Sequence, residues 1–336
     1  MTELQNTVTK GVFTVSLDFE LAWGFLDWPD LEPYEPNLRG VRQVVPSILE
    51  HLERHRVHAT WATVGFLMHA DRKELLQRAP GIRPTYDDPA LDPYRFAAEV
   101  DDLDPDLHFA PDLVDMIRAV PGQEIGSHTH CHYYGLEPGQ NREQFAADLE
   151  AIRSLAASRG LALSSLVFPR NQSNPAYLDL LTEAGVRCFR GNESSRLYRA
   201  AKGTEQKLWM RGARLLDAYL PLTGDGAHDL NKLACQQPYS IPASRFLRPH
   251  PPRGAVLEPL RLHRITAAMT QAARTGRLFH LWWHPHNFGR QTEQNLEFLG
   301  RILRHYDALE SEYGMRSLSM SEVADVLDTI RQRRIS

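Results

Sequence analysis

The chain has 336 residues, 42% of them hydrophobic and 24% charged, with a net charge of -4 and a pI near 6.4. That balance describes an ordinary folded domain and gives no global attraction to nucleic acid or to an anionic membrane surface. No apolar run reaches the roughly 18 residues of a membrane span. The start, Met1 to Asn6, lacks the basic-then-apolar pattern of a secretory signal. Its three cysteines, Cys131, Cys188 and Cys235, show neither metal-ligand spacing nor an even count. The expectation is a cytoplasmic protein without a disulfide framework, a nucleic-acid partner or a membrane span.

Gly11 to Leu17 is a β-branched apolar run suited to a buried strand, and it ends in Asp18-Phe19-Glu20. Two carboxylates thus stand at a strand's carboxyl end, the place where α/β folds assemble sites. Arg39 to Arg56 carries helical spacing in Val41, Val44, Val45, Ile48, Leu49 and Leu52, and His58 to Met68 reads as a second strand opening onto a helix. Residues 70–110 are rich in Asp and Pro, with little periodicity, and read as a surface insertion. Pro111 to Val120 predicts a short helix that leads into Glu124-Ile125-Gly126-Ser127-His128-Thr129-His130-Cys131-His132. If that stretch turns helical after Gly126, His128 and His132 share one face and can close on one divalent metal.

Gln140 to Ser158 is an amphipathic helix, and Leu163 to Phe168 is a strand ending in Pro169-Arg170-Asn171-Gln172. A helix over Tyr177 to Ala184 and a strand over Val186 to Gly191, with Arg190 at its end, follow. Residues 192–259 lose periodicity and read as a second excursion. Leu260 to Thr275 is helical, and Arg277 to Trp283 is a strand ending in His284-Pro285-His286. Asn295 to Tyr306 is a helix, Ser317 to Ser319 a short strand, and Ser321 to Ile330 a closing helix with Ser321 as its cap. Alternating strands and helices predict parallel βα units in a single domain over 1–336.

Several strand ends therefore carry polar groups: Asp18 with Glu20, His128 with His132, Arg170, and His284 with His286. One carboxylate and two histidines make a metal site with open positions. The other carboxylate can act as a general base, a histidine opposite as the proton donor, and an arginine as the group that keeps the base ionised. Arg190 is a candidate anion or substrate contact. Together these groups suit hydrolysis of an amide or ester.

The segment order resembles the polysaccharide deacetylases, the carbohydrate esterase family 4-like enzymes. His128-Thr129-His130-Cys131-His132 is similar to their His-(Ser/Thr)-x-x-His motif, and Ala59-Thr60-Trp61-Ala62 to the strand before it. Asp18-Phe19-Glu20 resembles the subgroup with an Asp-x-Glu first motif, which includes allantoinase-like members. Phe168-Pro169-Arg170 stands where Arg-x-Pro-Tyr is usual, and Trp282-Trp283-His284 matches the last motif.

The resemblance implies a distorted (β/α)7-type barrel in the α/β class. It implies Asp18 as base, Glu20, His128 and His132 as metal ligands, Arg170 orienting the base, and His284 as catalytic acid. Zinc is the default metal for such ligands. Trp23, His286 and Arg190 are the candidates to contact an amino-sugar or glycan substrate, a cytoplasmic precursor by this reading, and the oligomeric state stays open between monomer and homo-oligomer. The implied activity is removal of an N-acetyl or N-formyl group. The alternatives are hydrolysis of a cyclic amide or ureide, and a non-catalytic glycan binder.

Overall fold

The computed structural model describes residues 10–193, 217, 224, 226–251 and 255–335. Among them, one parallel sheet contains β1 (Val12–Phe19), β2 (Ala59–Thr63), β3 (Gln123–Ser127), β4 (Ser165–Leu166), β5 (Cys188–Gly191), β6 (Tyr239–Pro242), β7 (Arg245–Phe246), β8 (Leu278–Trp283) and β9 (Arg316–Ser317). The spatial order is β6-β5-β4-β3-β2-β1-β8-β7, with β9 beside β1.

β6 and β7 lie at opposite edges of this order, yet only Ala243 and Ser244 separate them in the chain. The Ala243 N–H bonds the Gly191 carbonyl on the β5 side at 2.9 Å, and the Ser244 N–H bonds the His280 carbonyl on the β8 side at 2.8 Å. One stretch of chain thus leaves β5 and joins β8, curling the sheet round on itself. With β6 and β7 taken as one interrupted stave and β9 set apart, the barrel is of the expected (β/α)7 type. Neither strand is legible in the sequence, because four- and two-residue strands are too short to show a period. Within the 192–259 excursion, residues 194–225 lie outside the described residues except for Asp217 and Gly224, as do residues 252–254.

Parallel strands covered on both faces usually read as continuous apolar runs, but here the two faces differ. Phe13, Val15, Leu17 and Phe19 of β1 join Phe279, Leu281 and Trp283 of β8 in the main apolar cluster beneath the helices. Thr14, Ser16 and Asp18 alternate with them and point to the barrel interior, where Ser16 meets His280 and Asp18 meets Arg190. The main helices are α1 (Val41–Arg54), α2 (Pro111–Ala119), α3 (Arg142–Ser158), α4 (Leu178–Glu183), α5 (Glu258–Thr275), α6 (Thr292–Tyr313) and α7 (Met320–Ile335). α1 buries Val41, Val44, Val45, Ile48, Leu49 and Leu52, the stripe its sequence spacing predicts. α3 starts from a capping box between Asn141 and Gln144.

α7 closes the end of the barrel away from the site. Met320, Val323, Ala324 and Leu327 cluster with Val12 and Leu278, the first residues of β1 and β8. Its cap is Ser319 rather than Ser321: the Ser319 N–H donates to Glu322 Oε2 at 2.8 Å and the Ser319 hydroxyl receives the Glu322 N–H at 3.4 Å. Residues 70–110 lie largely at the surface but are ordered rather than a bare loop. They hold helices Arg72–Gln77, Pro93–Glu99 and Pro105–His108, each capped by an aspartate, Asp71, Asp92 and Asp104. The Asp-Pro pairs that suggested a loop are a cap followed by the one residue that loses nothing at the first helical position. No helix among the described residues is long and apolar enough to cross a membrane.

Candidate active site

The carboxyl ends of β1, β4 and β8 open on a cleft of about 500 Å3, lined among others by Asp18, Glu20, Trp28, His132, Arg170 and His284. Glu20 follows β1 directly and lies 94% buried. Its Oε2 sits 3.0 Å from His132 Nε2 and 3.4 Å from His128 Nε2. The His128 Nδ1 hydrogen donates to the Val167 carbonyl at 2.8 Å, which turns the lone pair of Nε2 toward Glu20. That Nε2 is buried and makes no hydrogen bond. An orphaned acceptor beside a carboxylate and a second imidazole fits a divalent cation, since ligands bonded at about 2.0–2.2 Å around one metal stand roughly 3–3.5 Å apart. The donor set suits zinc and other first-row cations.

The two histidines do not meet across a helix face, as their spacing suggested. Residues 128–134 form an irregular loop with Thr129 and His132 in left-handed conformation, at φ 64° and 60°. What holds this loop is Asp148 of α3, whose carboxylate receives the N–H groups of His130 (2.8 Å) and Cys131 (3.0 Å). Burial raises its pKa to about 6 against those bonds. His130 points away from the cleft, its Nδ1 2.9 Å from the Tyr94 hydroxyl and its Nε2 3.3 Å from His69 Nε2. Cys131 is fully buried, with its thiol against the Asp148 carboxylate.

Asp18 is held by Arg190, not by Arg170. The Arg190 guanidinium grips both Asp18 oxygens, at 2.5 and 2.7 Å, and also reaches Ser16 Oγ (3.2 Å) and Asn171 Oδ1 (2.9 Å). Its plane lies over the Trp282 ring, 4.1 Å from the centroid. Arg170 instead pairs with Asp27 at 2.5 Å and stacks over Tyr134 at 4.3 Å. The reason is local: Arg170 and Asn171 both adopt φ 54° after β4, a turn that sends Arg170 to the cleft rim and Asn171 inward. Arg170, expected to orient Asp18, is engaged by Asp27 instead, and Arg190, expected as a substrate contact, is the buried arginine that contacts Asp18.

Burial pushes both carboxylates up, and the neighbours win. Arg190, His128 and His284 bring Asp18 below its ordinary value, and the surrounding histidines hold Glu20 well below. Burial brings His132 down to about 4, so its imidazole is neutral and ligand-competent at pH 7. His284 Nε2 faces both acids, 3.7 Å from Asp18 Oδ2 and 3.5 Å from Glu20 Oε1. His286 stacks on His284, with ring centroids 4.7 Å apart, and lines the cleft. Trp23 does not reach it. The short turn over Leu21–Phe25 folds the indole into the core, where Nε1 donates to the His108 carbonyl at 2.7 Å and Phe66 packs edge-on. The exposed aromatic at the rim is Trp28, flanked by Phe25 and Tyr34.

Ser16, His280, Asn171, Asp148 and Trp28 are the site's unpredicted members. Only Ser16 had a sequence signal, lying two residues before Asp18 and hence on the same strand face. Gly24 is another: a Cβ there would stand 2.3 Å from Glu20 Oε1.

No protein-family model matches the sequence, and no curated protein does. Solved structures do. One is a Mycobacterium smegmatis protein assigned as a polysaccharide deacetylase: 13% identity, TM-score 0.58, covering 98% of this chain and 93% of that one. The likeness is one of fold. A Pseudomonas aeruginosa PAO1 protein of the same description gives 13% identity and TM-score 0.56 over 96% and 93%. The allantoinase Puue gives 13% and 0.52 over 95% and 90%. At such identities the shared barrel does not assign the chemistry, which rests on the site.

Proposed function

We propose that the protein is a metal-dependent hydrolase of the polysaccharide deacetylase type, removing an N-acetyl or N-formyl group from an amino sugar. The observation that carries this reading is the meeting of Glu20, His128 and His132 with the Asp18–Arg190 pair and His284 around one cleft. Glu20, His128 and His132 would hold the cation, which when bound polarises an amide carbonyl and acidifies water. Asp18, kept ionised by Arg190, accepts a proton from the attacking water. His284, on the other side of the carboxylates, gives a proton to the departing amine. Trp28, Phe25 and Tyr34 supply an apolar wall for one face of a sugar ring. A cleft of about 500 Å3 suits one sugar unit or a small metabolite.

The test is release of acetate or formate from N-acylated amino sugars by protein loaded with zinc, alongside Asp18→Asn. That variant keeps the metal and loses turnover. Normal turnover in Asp18→Asn would remove the carboxylate from the mechanism. The Asp-x-Glu motif and the Puue fold likeness favour one second reading, hydrolysis of a cyclic ureide; incubation with allantoin, read by formation of the ring-opened ureido acid rather than by acetate or formate, separates the two.

A further inference from the structure

Glu20 presents its two oxygens to two different pairs of histidines. Oε2 faces His128 and His132, while Oε1 faces His284 at 3.5 Å. The ligand atoms of Glu20, His284 and His286 lie within 4.8 Å of one another, as do those of Glu20, His128 and His132. The 3.5 Å separation of His284 Nε2 from Oε1 is too long for a good hydrogen bond, and it matches two ligands of one cation.

Both histidines are held in place. His286 is 97% buried and stacked against His284 at an interplanar angle of 27°. Asn37 Nδ2 bonds the His286 carbonyl at 3.2 Å, and Asn287 Oδ1 receives the His284 N–H at 3.3 Å. The turn they sit on is pressed against the helix that begins at Glu35: a Cβ on Gly289 would meet the Asn37 carbonyl at 1.9 Å. Asp18 is committed to Arg190, so it remains outside this second group.

We propose a second divalent-cation site made of Glu20 Oε1, His284 and His286, with Glu20 bridging it to the first. The inference rests on the reading that Glu20, His128 and His132 hold the first cation. A carboxylate shared by two cations places them about 3.5–4 Å apart, the spacing of two-metal centres. Filling the second site takes the lone pair of His284, so the residue that protonates the leaving amine is then withheld. The centre works with one cation and is silenced by the second, which makes activity fall when metal is in excess.

The experiment is titration of chelator-stripped protein with Zn2+, followed by calorimetry and metal analysis, for wild type, His286→Asn and His128→Ala. Wild type takes up two equivalents in separate steps, and His286→Asn takes up one, which also shows that it is folded. With Co2+ as the probe, the EPR intensity per cobalt drops on the second equivalent because the shared carboxylate couples the two spins. A single equivalent in wild type, lost in His128→Ala, overturns the second site and leaves the proposed function standing. Two equivalents that persist in His286→Asn overturn it as well, by placing the extra ion elsewhere. No bound zinc at all overturns the hydrolase reading together with this inference.

Discussion

Removing Arg190 is the sharpest probe of the site's electrostatics. The guanidinium is fully buried and gives Asp18, itself only 3% exposed, two charge-assisted bonds of 2.5 and 2.7 Å. Arg190→Ala leaves a carboxylate in the barrel interior with no cation in contact, a change that costs about 3–5 kcal/mol. Arg170→Ala serves as the control, because the Arg170–Asp27 pair is 27% and 29% exposed and is worth no more than about 1 kcal/mol. Urea unfolding at pH 8 reads both. The Arg190→Ala penalty shrinks toward pH 5. Without Arg190, burial carries the Asp18 pKa above its unfolded value, so the variant regains stability as that carboxyl takes up a proton. Asp18→Asn added to Arg190→Ala recovers part of the loss, since no unpaired charge remains. Arg190→Lys keeps the charge without the two-pronged geometry, and turnover returns only in part. A loss below about 1 kcal/mol for Arg190→Ala, or an equal loss for Arg170→Ala, would show that the wrong arginine has been assigned to Asp18.

Three further predictions concern the residues around this pair. Gly24→Ala puts a methyl group 2.3 Å from Glu20 Oε1 and forces that carboxylate to shift, so zinc affinity measured by chelator competition drops while the fold survives; unchanged affinity would show that the close approach at Gly24 does not fix the carboxylate. Asp148→Ala strands the buried N–H groups of His130 and Cys131 and costs roughly 2–5 kcal/mol in urea unfolding, with zinc binding weakened in parallel. Burial lowers the His69 pKa to about 4 and that of His130 to about 3. Both histidines are then neutral in the fold but protonate near 6.5 when unfolded, so stability is lost as pH falls from 6.5 toward 4. The pair contributes up to about 2.7 kcal/mol per pH unit. His69→Gln with His130→Gln flattens the stability–pH curve over that window, and an unaltered slope would contradict this account.

What was legible in the sequence was whatever depended on one element at a time. The β1 run, the α1 stripe and the acidic and histidine-bearing strand ends could each be recognised alone, and the structure places Asp18, Glu20, His132 and His284 on one cleft, with His128 beside Glu20. The features that were misread depend on which way the chain turns after a strand. Trp23 sits three residues from Glu20, but the tight turn at Leu21, with φ 47°, rotates it into the core. Arg170 follows β4 and Arg190 lies near the end of β5, and the left-handed pair Arg170-Asn171 turns Arg170 away from Asp18. β6 and β7 were invisible for a related reason, because two short segments gain their identity as strands solely from the partners they bond.

The interior that supports the site is a polar line crossing three strands. His280 of β8 touches Ser16 of β1 at 2.9 Å, Ser16 touches Arg190 of β5 at 3.2 Å, and Arg190 holds Asp18. Burial keeps His280 neutral, with its pKa down at about 3. A neutral partner is what this position calls for, because a charged imidazole there would repel the guanidinium one residue away. The arrangement leaves Arg190 as the cation that faces Asp18 from below and puts His284 on the open side, where 21% of its side chain meets solvent. The carboxylate is therefore fixed from the barrel side and faced by the His284 imidazole from the cleft side. That asymmetry follows from strand alternation: Thr14, Ser16 and Asp18 share one face, so the same strand supplies both the buried carboxylate and the hydroxyl that braces its counter-ion.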